Sequence, residues 1–331
     1  MRLLIISLAI FVVCFGLFGC TNARSSSNRK KKCECPCRTK TPIKTPNFFF
    51  VTSQKISTIQ HFTNERIISN REITNRPQSN FKSYDSLDTM TYNCANNNIY
   101  MLKYNSSNVS KKTLDVIQFD GKNKFERINQ IENMFDNATS IASDYMRDKI
   151  YWTVNNDGNY SIKVTDNSFK ESNYIIYPNN KIRMEKIQVY PKRSEIFFSE
   201  DNKIWYTSNL PNSTPNLLLT CTHTLIDFAI DYATNDLCWL ENHSDPIYFM
   251  YYCVNIDASP RPIDKPMSKF YRLGEIFGNL EAFNNTLYWT ENIGPRQLLY
   301  AKDEHKTWPV LLATLKNDEV QSFVSLNCPS I

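Results

Sequence analysis

Glycine is scarce in this chain. Only 7 of its 331 residues are glycine, where average usage of roughly 7% would give about 23. Gly16 and Gly19 lie in an apolar leader, which leaves Gly121, Gly158, Gly274, Gly278 and Gly294 for everything else. Neither G-x-G-x-x-G nor G-x-x-x-x-G-K-[ST] can be written with these. A dinucleotide site and a P-loop are therefore excluded, because both need glycine for close backbone approach to phosphate. Histidine is scarcer still: His61, His223, His243 and His305 are the whole set. No H-E-x-x-H, G-x-S-x-G or cysteine–histidine signature occurs. After the leader, no apolar run is long enough to span a membrane. The longest, Ile247 to Val254, is strand-sized.

Asparagine is abundant instead, with 37 residues. It tolerates the left-handed region better than other side chains, so we expect it to make many of the turns that glycine usually makes. The formal charge of +5 comes from 38 basic and 33 acidic residues. Residues 1–46 hold nine basic residues against Glu34 alone, leaving 29 basic and 32 acidic in the remainder. The surplus belongs to the tail, so the body has no basic bias toward nucleic acid.

Met1-Arg2 followed by apolar Leu3 to Leu17, with small residues around Ala23, reads as a secretory signal peptide over 1–23. A basic, cysteine-bearing tail over 24–46 follows. Leu17-Phe18-Gly19-Cys20 also approaches a lipoprotein cleavage box, which Phe18 fits poorly. Seven N-x-[ST] sequons, at Asn105, Asn108, Asn137, Asn159, Asn212, Asn242 and Asn284, agree with a secreted glycoprotein. Eight cysteines lie beyond the leader. They are Cys33, Cys35, Cys37, Cys94, Cys221, Cys238, Cys253 and Cys328, an even number that favours disulfides. Cys33-Glu34-Cys35-Pro36-Cys37 lacks the spacing of a zinc knuckle, and no metal or other cofactor is expected.

A short aromatic strand recurs six times. The copies are Phe48-Phe49-Phe50-Val51, Ile99-Tyr100-Met101-Leu102, Ile150-Tyr151-Trp152-Thr153, Ile196-Phe197-Phe198-Ser199, Leu237-Cys238-Trp239-Leu240 and Leu287-Tyr288-Trp289-Thr290. Their second residues are 51, 51, 46, 41 and 50 positions apart, near the period of four-stranded propeller blades. A leading strand precedes several blocks, as in Ile141–Tyr145, Ile187–Pro191 and Phe228–Tyr232. Another strand follows, as in Tyr160–Val164. The segment from Phe125 to Phe135 is the most helix-like in the chain.

These blocks resemble the YWTD repeats, the class B repeats of the low-density lipoprotein receptor family. Tyr151-Trp152-Thr153 and Tyr288-Trp289-Thr290-Glu291 match best. The resemblance implies an all-β, six-bladed β-propeller over 47–331. The family's final aspartate is replaced by Val154, Glu200, Glu241 and Glu291. It also implies closure of the ring by the carboxyl-terminal strand, Ser322–Asn327, beside the first block. Cys328 would then pair with Cys33, Cys35 or Cys37. Cys221 and Cys253 are further disulfide candidates, and Cys238, in place of the family tyrosine, is equally readable as a buried thiol.

In the family, protein ligands sit on loops after the aromatic block and before the leading strand. The matching positions are Lys103, Tyr104, Asn155, Asp157, Glu200, Asp201, Glu241, His243, Glu291 and Asn292. Ordinary polar turns are the plain alternative for each, and glycans at Asn105 and Asn242 would crowd the same face. The expectation is a secreted, non-enzymatic propeller that recognises an extracellular protein. A second reading is a carrier of a small aromatic molecule in the central channel, similar in build to insect ommochrome-binding proteins. A third is a propeller hydrolase resembling gluconolactonase or strictosidine synthase, for which no residue set stands out.

Overall fold

The computed structural model describes residues 48–52, 56–59, 87–105, 107–119, 125–243, 248–258, 268–271, 275–293, 296–303, 310–316 and 320–326. The chain divides into Met1–Ile43 and Lys44–Ile331, and all described residues fall in the second unit. Cys33, Cys35, Cys37 and Cys328, and with them the expected tail disulfide, lie outside the described residues. No helix among the described residues is long and apolar enough to cross a membrane.

The fold is an all-β propeller. Five sheets have four strands each, antiparallel and adjacent in chain order. The first is β3 (Leu87–Asn93), β4 (Asn98–Asn105), β5 (Asn108–Phe119) and β6 (Phe125–Glu132). The second is β7 (Ala138–Asp144), β8 (Lys149–Asn156), β9 (Asn159–Asp166) and β10 (Asn173–Asn180). The third is β11 (Ile187–Tyr190), β12 (Glu195–Glu200), β13 (Lys203–Ser208) and β14 (Asn216–Thr220). The fourth is β15 (Thr224–Asp231), β16 (Asp236–His243), β17 (Tyr248–Asn255) and β18 (Ser268–Tyr271). The fifth is β19 (Glu275–Phe283), β20 (Thr286–Ile293), β21 (Arg296–Asp303) and β22 (Val310–Lys316). A sixth sheet holds three strands, β1 (Phe48–Thr52) between β2 (Ile56–Ile59) and the carboxyl-terminal β23 (Val320–Ser325).

Every aromatic block is a strand paired with its sheet's innermost strand. Tyr100, Tyr151, Phe197, Cys238 and Tyr288 oppose Thr91, Ala142, Gln188, Ala229 and Glu281. Phe49 opposes Val324, so the last strand closes on the first block. The innermost strands touch in the order β3, β7, β11, β15, β19, β23, and β23 returns to β3. Where six four-stranded blades were expected, five are found, and the last sheet has three strands among the described residues. The segment expected to be most helical, Phe125 to Phe135, is largely the strand β6. Its residues Glu126 to Gln130 are all exposed. As an outer edge strand it has little buried face, so alternation gave no signal there.

The cores lie between successive sheets. Tyr100, Leu114, Phe135 and Trp152 join the first to the second. Ile187 and Phe198 meet Tyr151 and Val164. Phe197 and Ile204 meet Phe228 and Trp239. Phe249 and Tyr251 meet Leu280 and Trp289. Phe323 and Val324 bridge Tyr288 and Met101. The indoles of Trp152, Trp239 and Trp289 are 0%, 1% and 0% exposed. Each contributes on the order of 4–6 kcal/mol of burial by area.

Asparagine takes over the turns. Twelve described non-glycine residues have positive φ, and seven of them are asparagine, with three aspartates. Asn284-Asn285 (φ 50° and 62°) forms the two-residue hairpin between β19 and β20. Asp157-Gly158 (53° and 84°) does the same between β8 and β9. Positive φ at both central positions is the signature of the type I′ turn. Buried Asp144 and Asp231 hold two inner turns by accepting from the N–H groups of Met146 and Ala233, respectively.

Candidate functional site

The loop positions expected to bind a ligand separate into two groups. In the first, the side chain is engaged inside the blade. Glu241 is 2% exposed. It accepts the Trp239 Nε1–H at 2.9 Å on one oxygen and the His223 N–H at 2.9 Å on the other. Glu291, also 2% exposed, accepts the Trp289 Nε1–H at 2.9 Å. Glu200 accepts from Trp205 Nε1 at 3.0 Å, a tryptophan supplied by the neighbouring strand β13. These glutamates were read as loop-face residues. They are indole acceptors, which explains an acidic residue two positions after Trp239 and Trp289. Lys103 forms an ion pair with the fully buried Asp115 at 2.6 Å. The Tyr104 ring lies under Lys112 Nζ at 4.7 Å. Asn155 accepts the Gly158 N–H at 3.0 Å and so shapes its own turn.

The second group faces outward. Asp157 sits exposed at the β8–β9 turn. Asp201, at the β12–β13 turn, has a side chain 71% exposed and lies 3.9 Å from Arg183, which pairs with Glu185 at 3.1 Å. Glu185, Ser199, Asp201, Leu225 and Ile226 line a shallow groove between the third and fourth sheets. His243 and Asn292 are strand residues, paired with Tyr248 and Gln297; their side chains lie outside the described residues.

Five sequons, Asn105, Asn108, Asn137, Asn159 and Asn242, lie at the blade end where inner strands begin. Asn212 and Asn284 lie at the opposite end. The third sheet, which carries Asp201, has no sequon at the crowded end. Asn137 spends its amide on Asn156 at 2.9 Å.

The cysteines require a correction. Cys253 pairs with Cys238, its register partner across β16 and β17. Cys238 is therefore a half-cystine rather than a buried thiol. Cys221 is a buried thiol; burial first, then the neighbouring Glu241, pushes its pKa well up. Such a thiol is inert as a nucleophile.

The central channel is lined by all six innermost strands, including Thr91, Ser143, Gln188, Ile230, Glu281 and Ser325, with Lys186 just ahead of β11. Tyr145 and Tyr232 meet edge-to-face at 5.8 Å in its wall. Its volume is about 70 Å³. Glu281 has its carboxyl pushed up to about 7, first by burial and slightly by Asp227, against the pull of Lys186 and the Ser325 N–H. Among the described residues no three His, Cys, Asp or Glu side chains are grouped to hold a metal. Sequence reasoning missed Glu281. Only the register, which sets it level with five neutral inner-strand residues, singles it out.

No family model and no curated protein matches the chain. Solved structures do. A chain in a nidogen/laminin complex aligns over 86% of this chain and all of its own length, with TM-score 0.59 and 14% identity. TolB from Acinetobacter baumannii aligns over 85% of this chain and 67% of its own, with TM-score 0.57 and 12% identity. At these identities the likeness is one of fold: the chain is a β-propeller.

Proposed function

We propose that the chain is a secreted, non-enzymatic, six-bladed YWTD-like propeller that recognises an extracellular protein. The three-stranded sheet is then the sixth blade, since β23 pairs with β1 and completes the ring of inner strands. One observation carries the choice of ligand class. The channel measures about 70 Å³, whereas sites for drug-sized ligands occupy roughly 300–1,000 Å³. A pigment does not fit, and the three buried indoles are unavailable for stacking. Recognition falls to the loops. The open groove beside Asp201 and Arg183 is the preferred surface, because its third-sheet wall has no sequon at this end, Asn242 lying on the fourth sheet across from Thr224. The nidogen/laminin chain supports this reading as a propeller found in a protein complex.

The test is direct. The full chain, produced in a secreting eukaryotic cell, is titrated against a panel of extracellular-matrix proteins and receptor ectodomains. Saturable binding that Asp201→Arg weakens at least tenfold, with unchanged melting temperature, is expected. A chromophore in the natural protein, or turnover of a lactone or ester panel, would overturn the assignment. Secretion is checked separately. Mature protein should begin at Arg24, and glycosidase treatment should lower its mass.

A further inference from the structure

The innermost strands place one charge in a neutral layer. Level with one another, opposite the second residue of each aromatic block, are Thr91, Ala142, Gln188, Ala229, Glu281 and Val324. Glu281 alone of these is ionisable. The channel cavity touches it.

Among the described residues, Glu281 has to share its counter-charge. Lys186 of the third sheet is bound to Asp227 of the fourth at 2.6 Å. The same Asp227 oxygen accepts the Leu280 N–H at 2.8 Å. Among the described residues one cation, Lys186, therefore serves two carboxylates, Asp227 and an ionised Glu281. Among the described residues, Glu281 also meets the Ser325 N–H of β23 and the hydroxyl of Tyr232, and the Cys94 thiol lines the same cavity. None of these carries positive charge. A partly buried carboxylate that shares its counter-charge is costly to ionise, and such a group at a cavity is a candidate for a cation.

The cavity restricts the cation. About 70 Å³, where one water needs roughly 10–15 Å³ of such space, admits only a few non-hydrogen atoms. Besides Glu281, its walls offer hydroxyl and amide groups from Thr91, Ser143 and Gln188, and the rings of Tyr145 and Tyr232. Hydroxyl and carbonyl oxygens accept N–H bonds, and tyrosine faces attract a cation. Calcium takes six to eight oxygens, several of them from carboxylates, and among the described residues no three His, Cys, Asp or Glu side chains are grouped to hold a metal.

We propose that the central channel is a binding site for a small primary ammonium ion of about three or four non-hydrogen atoms, held by the Glu281 carboxylate.

The probe is ethanolammonium chloride, titrated into the full chain at pH 8 and followed by calorimetry and by melting temperature. Potassium chloride at equal ionic strength and ethylene glycol serve as controls. Saturable binding with a rise of several degrees in melting temperature is expected for the amine alone. Glu281→Gln should abolish both. A second measurement uses the unaltered chain. Affinity should fall at least tenfold between pH 8 and pH 5, as the Glu281 carboxyl gains its proton. Absence of saturable binding at pH 8, equal binding by Glu281→Gln, equal effects of potassium, or affinity unchanged at pH 5 would each overturn the proposal. The Asp201→Arg variant should bind the amine normally, so this site and the protein-binding groove fail independently.

Discussion

The sheets β7–β10 and β15–β18 bury the same indole in the same register and treat its N–H differently. In the fourth sheet, Trp239 donates to Glu241, and the flat Tyr252 ring stacks on it at 5.1 Å. Across the hairpin, Cys238 is bonded to Cys253. In the second sheet, Trp152 is as deeply buried, yet its Nε1–H has no acceptor among the described residues. The residue two positions on is Val154, 2% exposed, where the other blades carry Glu241 and Glu291. The position equivalent to Cys238 is Tyr151. The difference teaches what the block's last acidic residue does. It satisfies the indole, and where it is lost the indole is held by apolar packing, against Phe135 at 4.6 Å.

The comparison breaks most visibly at Glu241. Glu241→Ala leaves the N–H groups of Trp239 and His223 without their carboxylate. At about 1–3 kcal/mol for each buried donor, the loss should be about 3–5 kcal/mol, a large share of a typical stability. Glu241→Gln keeps an acceptor and should cost less than half as much. Denaturant midpoints read at constant slope distinguish the two. Equal losses would mean that packing, not hydrogen bonding, fixes this position.

The disulfide is the next largest difference. It closes a separation of 15 residues, for which the chain-entropy model gives about 3 kcal/mol. Replacing both cysteines by serine should lower stability by about that amount and increase amide exchange in β16 and β17. Exchange in β8 and β9 should stay the same under reducing conditions. Protection lost equally in both sheets would show that the bridge stabilises the ring as a whole.

Glu281 sharpens the comparison from the other side, as a half-buried carboxylate that no indole meets. Its folded pKa, about 7, lies above the ordinary 4.5. The folded state therefore holds the proton more firmly than the unfolded chain. That contribution is fully present below the ordinary carboxyl range and is lost as pH rises to about 7. Glu281→Gln should raise stability by about 1–3 kcal/mol at pH 8 and change little at pH 4. Thermal melts across pH 4 to 8 measure this. A gain independent of pH would assign the effect to packing.

The repeat made most of the fold readable. Aromatic blocks near 50 residues apart mark the strand beside each innermost strand, and Phe323-Val324 closes on Phe49 as the family resemblance implies. Asparagine at positive φ answers the missing glycine. β6 was not readable, because an edge strand exposed along most of its length has no apolar period. Nor was the Cys238–Cys253 pair, which needs the β16–β17 register. The role of the glutamates was present in the sequence as Trp239-x-Glu241 and Trp289-x-Glu291, but an acidic residue at a loop suggests a ligand before it suggests an indole. Glu281 required three-dimensional alignment of strands that differ in sequence.

The smallest effect tests the orphaned indole itself. Val154→Gln places an acceptor two residues after Trp152, as Glu241 stands to Trp239, without adding a charge. It removes an unsatisfied donor worth about 1–3 kcal/mol. It also loses valine burial of about 1.5 kcal/mol or more and brings an amide N–H₂ that needs its own partners. These nearly cancel, so a net change within about 1 kcal/mol is expected, where most buried valine-to-glutamine changes destabilise by several. The paired change Trp152→Phe separates the terms, because it deletes the donor and its need for an acceptor together. In the Trp152→Phe background, Val154→Gln should lose its compensation and become destabilising by at least about 1 kcal/mol more. Equal effects of Val154→Gln in the two backgrounds would show that the glutamine never reaches the indole. The second sheet would then be adapted to valine, rather than lacking a glutamate.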